Sequence, residues 1–143
     1  DVTDSELVLD VGAGYGYSSA IIAYLAEAVV ALESEDRPAN EMQNALIENG
    51  IDNVIVEQGP LLDGAASHAP YDVIFVQGGV EFIPEQIISQ LKEGGRMVAL
   101  FMEGTLGTVK IGFKVKGGLN WRFAFNAGAP VLSDFEKEKT FIL

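Results

Sequence analysis

Apolar residues fall along this chain in short runs divided by stretches of helical spacing. Leu7-Val8-Leu9, Ala28-Val29-Val30-Ala31-Leu32, Asn53-Val54-Ile55-Val56-Glu57, Tyr71-Asp72-Val73-Ile74-Phe75-Val76 and Arg96-Met97-Val98-Ala99-Leu100-Phe101 have the length and content of buried strands. Between the first two, Ser18 to Ala28 sets Ile21, Leu25 and Ala28 on one helical face, with Ile22 beside them. Asp36 is placed to cap a second helix, Pro38 to sit in its first turn, Met42 and Leu46 to mark its buried face and Gly50 to stop it. Gln58 to Pro70 reads as a loop with a short helical turn, and Gln77-Gly78-Gly79 as the turn ending the fourth strand. Pro84 opens a third helix through Ile87, Ile88 and Leu91, closed at Gly94-Gly95. Strands that alternate with helices predict a parallel sheet covered on both faces.

The last third changes period. Val109, Ile111, Phe113 and Val115 alternate with Lys110, Gly112, Lys114 and Lys116, and Leu119, Trp121, Phe123 and Phe125 alternate with Asn120, Arg122, Ala124 and Asn126. Period two predicts an antiparallel hairpin lying on the core, its basic residues on a solvated face. If both apolar sets share one face, odd positions oppose odd ones. That requires a three-residue loop, Lys116-Gly117-Gly118, setting Val115 opposite Leu119, Phe113 opposite Trp121 and Ile111 opposite Phe123, with a left-handed Gly118. Phe141-Ile142-Leu143 is a further short strand candidate. The expected fold is one α/β domain over residues 1–143, a doubly wound sheet of five parallel strands followed by a C-terminal antiparallel hairpin.

The chemistry is concentrated at the first strand–helix junction. Leu7 to Tyr17 reads Leu-Val-Leu-Asp-Val-Gly-Ala-Gly-Tyr-Gly-Tyr, a strand, a glycine turn and then helical spacing. Such a turn turns backbone N–H groups toward a nucleotide-like ligand. The dinucleotide fingerprint G-x-G-x-x-G would need glycine where Tyr17 stands, which disfavours a nicotinamide-dependent oxidoreductase. A phosphate-binding P-loop needs a lysine, and none lies between Asp1 and Glu33. Glu33 ends the second strand, 21 residues after Gly12, where an acidic side chain accepts hydrogen bonds from ribose hydroxyls.

Composition narrows the classes. The chain has 143 residues, no cysteine, one histidine (His68) and a net charge of −12, which exclude a disulfide framework, a thiolate or multi-histidine metal site and a phosphate-backbone partner. His68 lies in a polar loop and reads as solvated; Trp121 reads as core. Ala20 to Leu32 is the longest nearly apolar run, and it falls short of the ~20 residues of a membrane helix. The chain opens on Asp1 with no signal peptide, and the first strand follows within a few residues, the pattern of a chain whose upstream segment is missing.

Asp-x-Gly-x-Gly-x-Gly at residues 10–16 resembles the first motif of S-adenosylmethionine-dependent methyltransferases of the Rossmann-like class. Val8 to Tyr17, Asn53-Val54 before Gly59, Ala69-Pro70-Tyr71-Asp72-Val73-Ile74, Ile83-Pro84 and Gln90-Leu91-Lys92-Glu93-Gly94-Gly95-Arg96-Met97-Val98 together resemble the protein-L-isoaspartate O-methyltransferases. The resemblance implies a cytoplasmic enzyme that uses S-adenosylmethionine to methylate the carboxylate of isoaspartyl residues in proteins, with no metal, nucleic acid or membrane partner. It implies cofactor contacts from Asp10, Gly12, Ala13, Gly14, Tyr15, Gly16, Glu33, Ser34, Gly59, Pro60, Leu61 and Gln77, with Tyr15 over the cofactor and Tyr17 against the sheet. No single catalytic residue follows, because the attacking carboxylate is already ionised.

This chain departs from the family pattern in four places. Gly59-Pro60-Leu61 stands for the family's Gly-Asp-Gly, leaving Leu61 or Leu62 to pack on the adenine. Gln77-Gly78-Gly79 replaces a Thr-Ala-Ala-like turn, and Phe125 to Leu132 differs from the usual ending. The family's segment of several dozen residues before the glycine motif, which supplies much of the acceptor pocket, has no counterpart here, so poor isoaspartyl turnover is expected of this chain alone. Another methyl acceptor, or a non-catalytic cofactor-binding module, are the alternatives. Glu81 either borders the acceptor site or starts a helix.

Overall fold

The structure is a computed structural model that describes residues 2–137. Its parallel strands are β1 (Leu7–Val11), β2 (Ala28–Glu33), β3 (Val54–Gln58), β4 (Tyr71–Val80) and β5 (Leu91–Glu103). β6 (Leu106–Val115) runs antiparallel to β5, and β7 (Gly118–Ala127) antiparallel to β6. All lie in one seven-stranded sheet of order β3-β2-β1-β4-β5-β6-β7. The chain winds outward from β1 to β3, then returns to the other side of β1 as β4. The β1/β4 boundary is therefore the switch point, where the ends of strands in an open α/β sheet leave a crevice. Among the described residues, no helix is long and apolar enough to cross a membrane.

The two sides of the sheet are covered unequally. On one side α1 (Tyr17–Ala23) and α2 (Asp36–Glu48) lie over β1, β2 and β3. Val8, Val29 and Val73 pack there with Ala23 and Ala26, and Ala31 packs with Met42 and Leu46. On the other side α3 (Glu85–Ile88), the short turn Leu61–Asp63 and the C-terminal turn Ser133–Phe135 close the main core. That core joins Leu9, Val30, Ile74, Met97 and Ala99 to Ile87, Leu91 and Phe135. On the α1–α2 side of β5 and β6, Val98, Leu100, Val109, Ile111 and Phe113 are half-exposed and belong to none of these buried clusters.

The fold class holds in outline, and several elements differ from expectation. α1 stops at Ala23; its buried positions are Ser19 and Ala23, while Ile21 and Leu25 are 66% and 52% exposed. The Ser19 hydroxyl bonds Asp10 at 2.6 Å and so fixes which face of α1 turns inward. β4 continues through Gln77-Gly78-Gly79 to Val80, because Gly79 and Val80 pair with Leu100 and Phe101 of β5 beyond a bulge, and Gly79 also pairs with Val131. α3 spans only four residues, and Leu91 already pairs with Tyr71. The Lys114 ammonium donates to the carbonyls of Ile88 at 3.0 Å and Leu91 at 2.7 Å, which serves as the cap the glycines were expected to provide. Gly94-Gly95 lies within a bulged start of β5, where a Cβ on Gly95 would come within 2.9 Å of the Asp72 carbonyl.

The hairpin register is the main correction. Val115 pairs with Gly118, Lys114 with Leu119, Gly112 with Trp121 and Lys110 with Phe123. From Val115 to Lys110 odd positions therefore oppose even ones, and a shift between Val109 and Lys110 restores odd against odd at Val109–Phe125. The connection is a two-residue turn, Lys116-Gly117, with φ of 52° and 80°, the left-handed pair that a type I′ hairpin demands. Gly118 starts the strand, and the positive φ expected of it falls on Lys116 and Gly117 instead. Over that stretch the apolar residues, Ile111 and Phe113 of β6 and Leu119, Trp121 and Phe123 of β7, consequently face opposite sides. Trp121 does reach the core, lying edge-on to Phe101 with ring centroids 4.8 Å apart and covering Gly112, which has no side chain to obstruct it. Of the basic residues read as solvated, Lys116 and Arg122 are exposed, whereas Lys110 sits over the Phe101 ring and Lys114 caps α3. Residues 106–127 carry four basic residues and no acidic one. The segment Phe141-Ile142-Leu143 lies outside the described residues.

Candidate functional site

The glycine loop leaves β1 at the switch point. The N–H groups of Gly12 and Ala13 both donate to the Leu32 carbonyl, at 2.9 and 3.0 Å, which holds the loop against the end of β2. Gly12, Gly14 and Gly16 have φ of 77°, 61° and 90°, values that bar ordinary side chains. Their surroundings differ. A Cβ at Gly14 would meet open space, whereas one at Gly12 would lie 3.3 Å from the Gln77 carbonyl, 3.8 Å from Leu132 and 3.9 Å from Leu61. At Gly16 it would strike Met42 at 2.6 Å, so Gly16 lets α2 pack close, and Ala13 shares that cluster.

Two carboxylates frame the loop. Glu33 is buried at the end of β2, where one oxygen accepts the Gly14 N–H at 2.8 Å and the other accepts those of Ser34 and Glu35 at 2.9 and 3.0 Å. Three backbone donors hold it in a fixed orientation beside the open side of Gly14. The Gly59 N–H donates to the Glu33 carbonyl at 3.1 Å, bringing the loop after β3 alongside, and a Cβ on Gly59 would also meet open space. Asp10 is fully buried, and its Oδ2 accepts the hydroxyls of Ser18 at 2.8 Å and Ser19 at 2.6 Å. Its Oδ1 makes no hydrogen bond of ordinary geometry among the described residues, although the Gln77 amide lies close enough to act on the carboxylate. Burial pushes the Asp10 carboxyl above its ordinary range, and the serine hydroxyls and the Gln77 amide pull it part of the way back.

Most residues expected at the site do converge. Pro60 leads into the turn at Leu61, a buried residue reaching toward Gly12; Ser34 lies exposed beyond Glu33; Gln77 faces Gly12 from β4. Tyr15 stands at the loop rim, 46% exposed, while Tyr17 projects into solvent at 81% exposure instead of packing on the sheet. Glu81 follows β4 without starting a helix, and its carboxylate accepts the Lys137 N–H at 2.9 Å. It borders an open cleft of about 1110 Å³ beneath the β5–β6 turn, none of whose lining residues belongs to the glycine loop. Two features escaped the sequence reading. The adjacent polar pair Ser18-Ser19 at the helix start was a usable signal for a partner of Asp10; the approach of Leu132 to Gly12 had none.

Comparisons with known proteins place this geometry. The family model for protein-L-isoaspartate(D-aspartate) O-methyltransferase matches residues 1–110. A protein-L-isoaspartate O-methyltransferase 2 of Polaromonas sp. (strain JS666 / ATCC BAA-500) is 44% identical over 91 residues, covering 64% of this chain and 43% of that protein. The Opitutus terrae protein-L-isoaspartate O-methyltransferase is 37% identical over 91 residues, 64% of this chain and 39% of its own length. Among solved structures, a protein-L-isoaspartate O-methyltransferase superimposes with a TM-score of 0.86 at 27% identity, covering 92% of this chain and 43% of that one. A Plasmodium falciparum protein of the same description, in complex with S-adenosyl-L-homocysteine, shares the fold with a TM-score of 0.73 at 17% identity, covering 92% of this chain and 67% of that one. The chain thus spans under half the length of the two bacterial relatives. With the glycine loop, the acidic end of β2 and the strand β4 all inside the matched region, the chain belongs to the protein-L-isoaspartate(D-aspartate) O-methyltransferase family.

Proposed function

We propose that the chain binds S-adenosylmethionine between the glycine loop and Glu33, and that it serves the methylation of L-isoaspartyl carboxylates in damaged proteins of the cytoplasm. The observation that carries this reading is the pairing of a locked Glu33 with the unpartnered, buried Oδ1 of Asp10 at the two ends of one glycine loop. Glu33 keeps acceptor capacity for ribose hydroxyls beside Gly14, and Asp10 Oδ1 is an acceptor awaiting a donor, as an amino-acid ammonium would be. Gly14 and Gly59 leave the space that a nucleoside needs, with Ser34, Pro60 and Leu61 at its rim. The Plasmodium falciparum protein with this fold holds S-adenosyl-L-homocysteine, a ligand with both of those groups.

When bound, the cofactor supplies a methyl group on a sulfonium, which a carboxylate oxygen displaces to give a methyl ester and a thioether. The chain's share is orientation and exclusion of water. Glu33 fixes the nucleoside end, Asp10 the charged end, and Leu61 keeps the floor of the crevice apolar. No residue has to remove a proton, since the attacking carboxylate is ionised at neutral pH.

Calorimetric titration with S-adenosylhomocysteine tests the site. Wild type should bind, and Glu33→Ala should weaken binding by about 1.5–3 kcal/mol, the worth of hydrogen bonds to a charged group. Gly12→Val should abolish it, because the new side chain would press on the Gln77 carbonyl. Unchanged affinity in both variants would remove the loop from the site. Transfer of labelled methyl to an isoaspartyl peptide, against its aspartyl isomer, tests the acceptor.

A further inference from the structure

The C-terminal tail crosses the switch point. The chain leaves β7 at the sheet edge, yet residues 130–132 return to β4, three strands away. The Gly79 N–H donates to the Pro130 carbonyl at 3.1 Å and the Leu132 N–H donates to the Gly79 carbonyl at 2.8 Å, making a parallel bridge between Gly79 and Val131. β5 holds the other edge of β4, so the tail occupies the edge on the β1 side, which β1 vacates by ending at Val11. Phe135, fully buried in the main core, anchors it, and its carbonyl accepts the Glu81 N–H at 2.9 Å.

This route brings the Leu132 side chain over the glycine loop. It stands 3.8 Å from where a Cβ of Gly12 would be, and within 2.8–3.2 Å of where one on Gly78 would be. Gly78 has a φ of 133° and no side chain, and so forms a socket for Leu132. The departure at Gly78 and the placement of Leu132 are therefore one feature. The site has two ends. Glu33, Gly14 and Gly59 make one; Asp10, Gly12, Gln77, Gly78 and Leu132 make the other.

Resting on the assignment of the Glu33 end to the nucleoside, we infer that Leu132 is a specificity-determining residue that walls the amino-acid end of the cofactor site against water. Its methyl groups pack against the thioether arm of the ligand and leave the nucleoside untouched. An acceptor reaches the transferring group only past Leu132.

The test compares two ligands on one protein. Wild type, Leu132→Ala and Leu132→Met are titrated calorimetrically with S-adenosylhomocysteine and with adenosine, after thermal unfolding has verified that each variant is folded. Leu132→Ala should bind S-adenosylhomocysteine about tenfold more weakly, a loss of about 1.4 kcal/mol, with adenosine affinity unchanged and Leu132→Met near wild type. Equal losses for both ligands would reduce Leu132 to a structural prop and overturn the inference, as would no loss for either. Failure of wild type to bind S-adenosylhomocysteine would instead overturn the site assignment itself.

Discussion

The parallel and antiparallel halves of the sheet are built on different terms. In β1 and β2 the strands are buried on both sides, and Val8, Leu9, Val29 and Val30 are all inaccessible to solvent. In β5 and β6 only the α3 side is closed: Met97 is fully buried, while its neighbour Val98 is half-exposed on the opposite side. Both halves place apolar residues on the two sides of their strands. The difference lies in what covers them, and apolar character alone does not tell a strand which of its sides is the core.

Substitutions on adjacent residues of β5 break or sharpen this contrast most. Met97→Ala should cost about 2–5 kcal/mol in urea unfolding, whereas Val98→Ala should cost about 1 kcal/mol. Equal costs would mean that the α1–α2 side of β5 is covered in solution as fully as the other.

The Glu6–Arg96 pair fastens the halves together across β4, with nitrogen–oxygen distances of 2.9 and 3.0 Å. The Arg96 guanidinium holds the Glu6 carboxyl down at about 2, against 4.5 ordinarily. A depressed carboxyl stabilises the fold above its unfolded value and loses that contribution as pH falls from 4.5 toward 2. Arg96→Met should therefore remove about 2 kcal/mol at neutral pH and flatten the acid limb of the stability profile over that window.

Asp10 belongs to the parallel half and acts with the opposite sign. Its carboxyl lies above its ordinary 3.8, so the folded state binds the proton more tightly, and stability declines as pH rises from 3.8. Asp10→Asn should raise stability at pH 7 by about 1–2 kcal/mol while weakening S-adenosylhomocysteine binding. A variant that gained no stability would show that its buried charge is already compensated.

The smallest effect is at the hairpin turn. Lys116 holds a φ of 52°, unfavourable for its side chain, and Lys116→Asn would create the preferred Asn-Gly turn. A gain of about 0.5–1 kcal/mol is expected, read as a shift in the thermal midpoint.

Legibility in the sequence follows the same division. The first four strands, the glycine loop, Glu33 and the Met42–Leu46 face of α2 could all be read because each is fixed by neighbours within one βαβ unit. The hairpin misled because Ile111 and Phe113 are apolar without facing the main core, so aligning them with Phe123 and Trp121 gave the wrong register next to the turn. The extra strand length at Gly78-Gly79 depends on a tail more than fifty residues later in the chain. The short α3 depends on Lys114, 26 residues beyond the Ile88 carbonyl it binds. Contacts of that sequence separation leave no local pattern. At the proposed site, the residues on the loop and on β2 carry a local sequence pattern, and Leu132, held in place by Gly79 and Phe135, carries none.

The concentration of positive charge in residues 106–127 leaves five basic residues against 21 acidic ones elsewhere. With β6 and β7 at one edge of the sheet and β3 at the other, this separation is an electric dipole laid across the sheet. A field from an acidic surface turns the molecule β7 edge first, even though its net charge of −12 is repelled as a whole. The torque works over roughly one Debye length, about 10 Å in 0.1 M salt, so dilute buffer lengthens its reach and concentrated salt removes it.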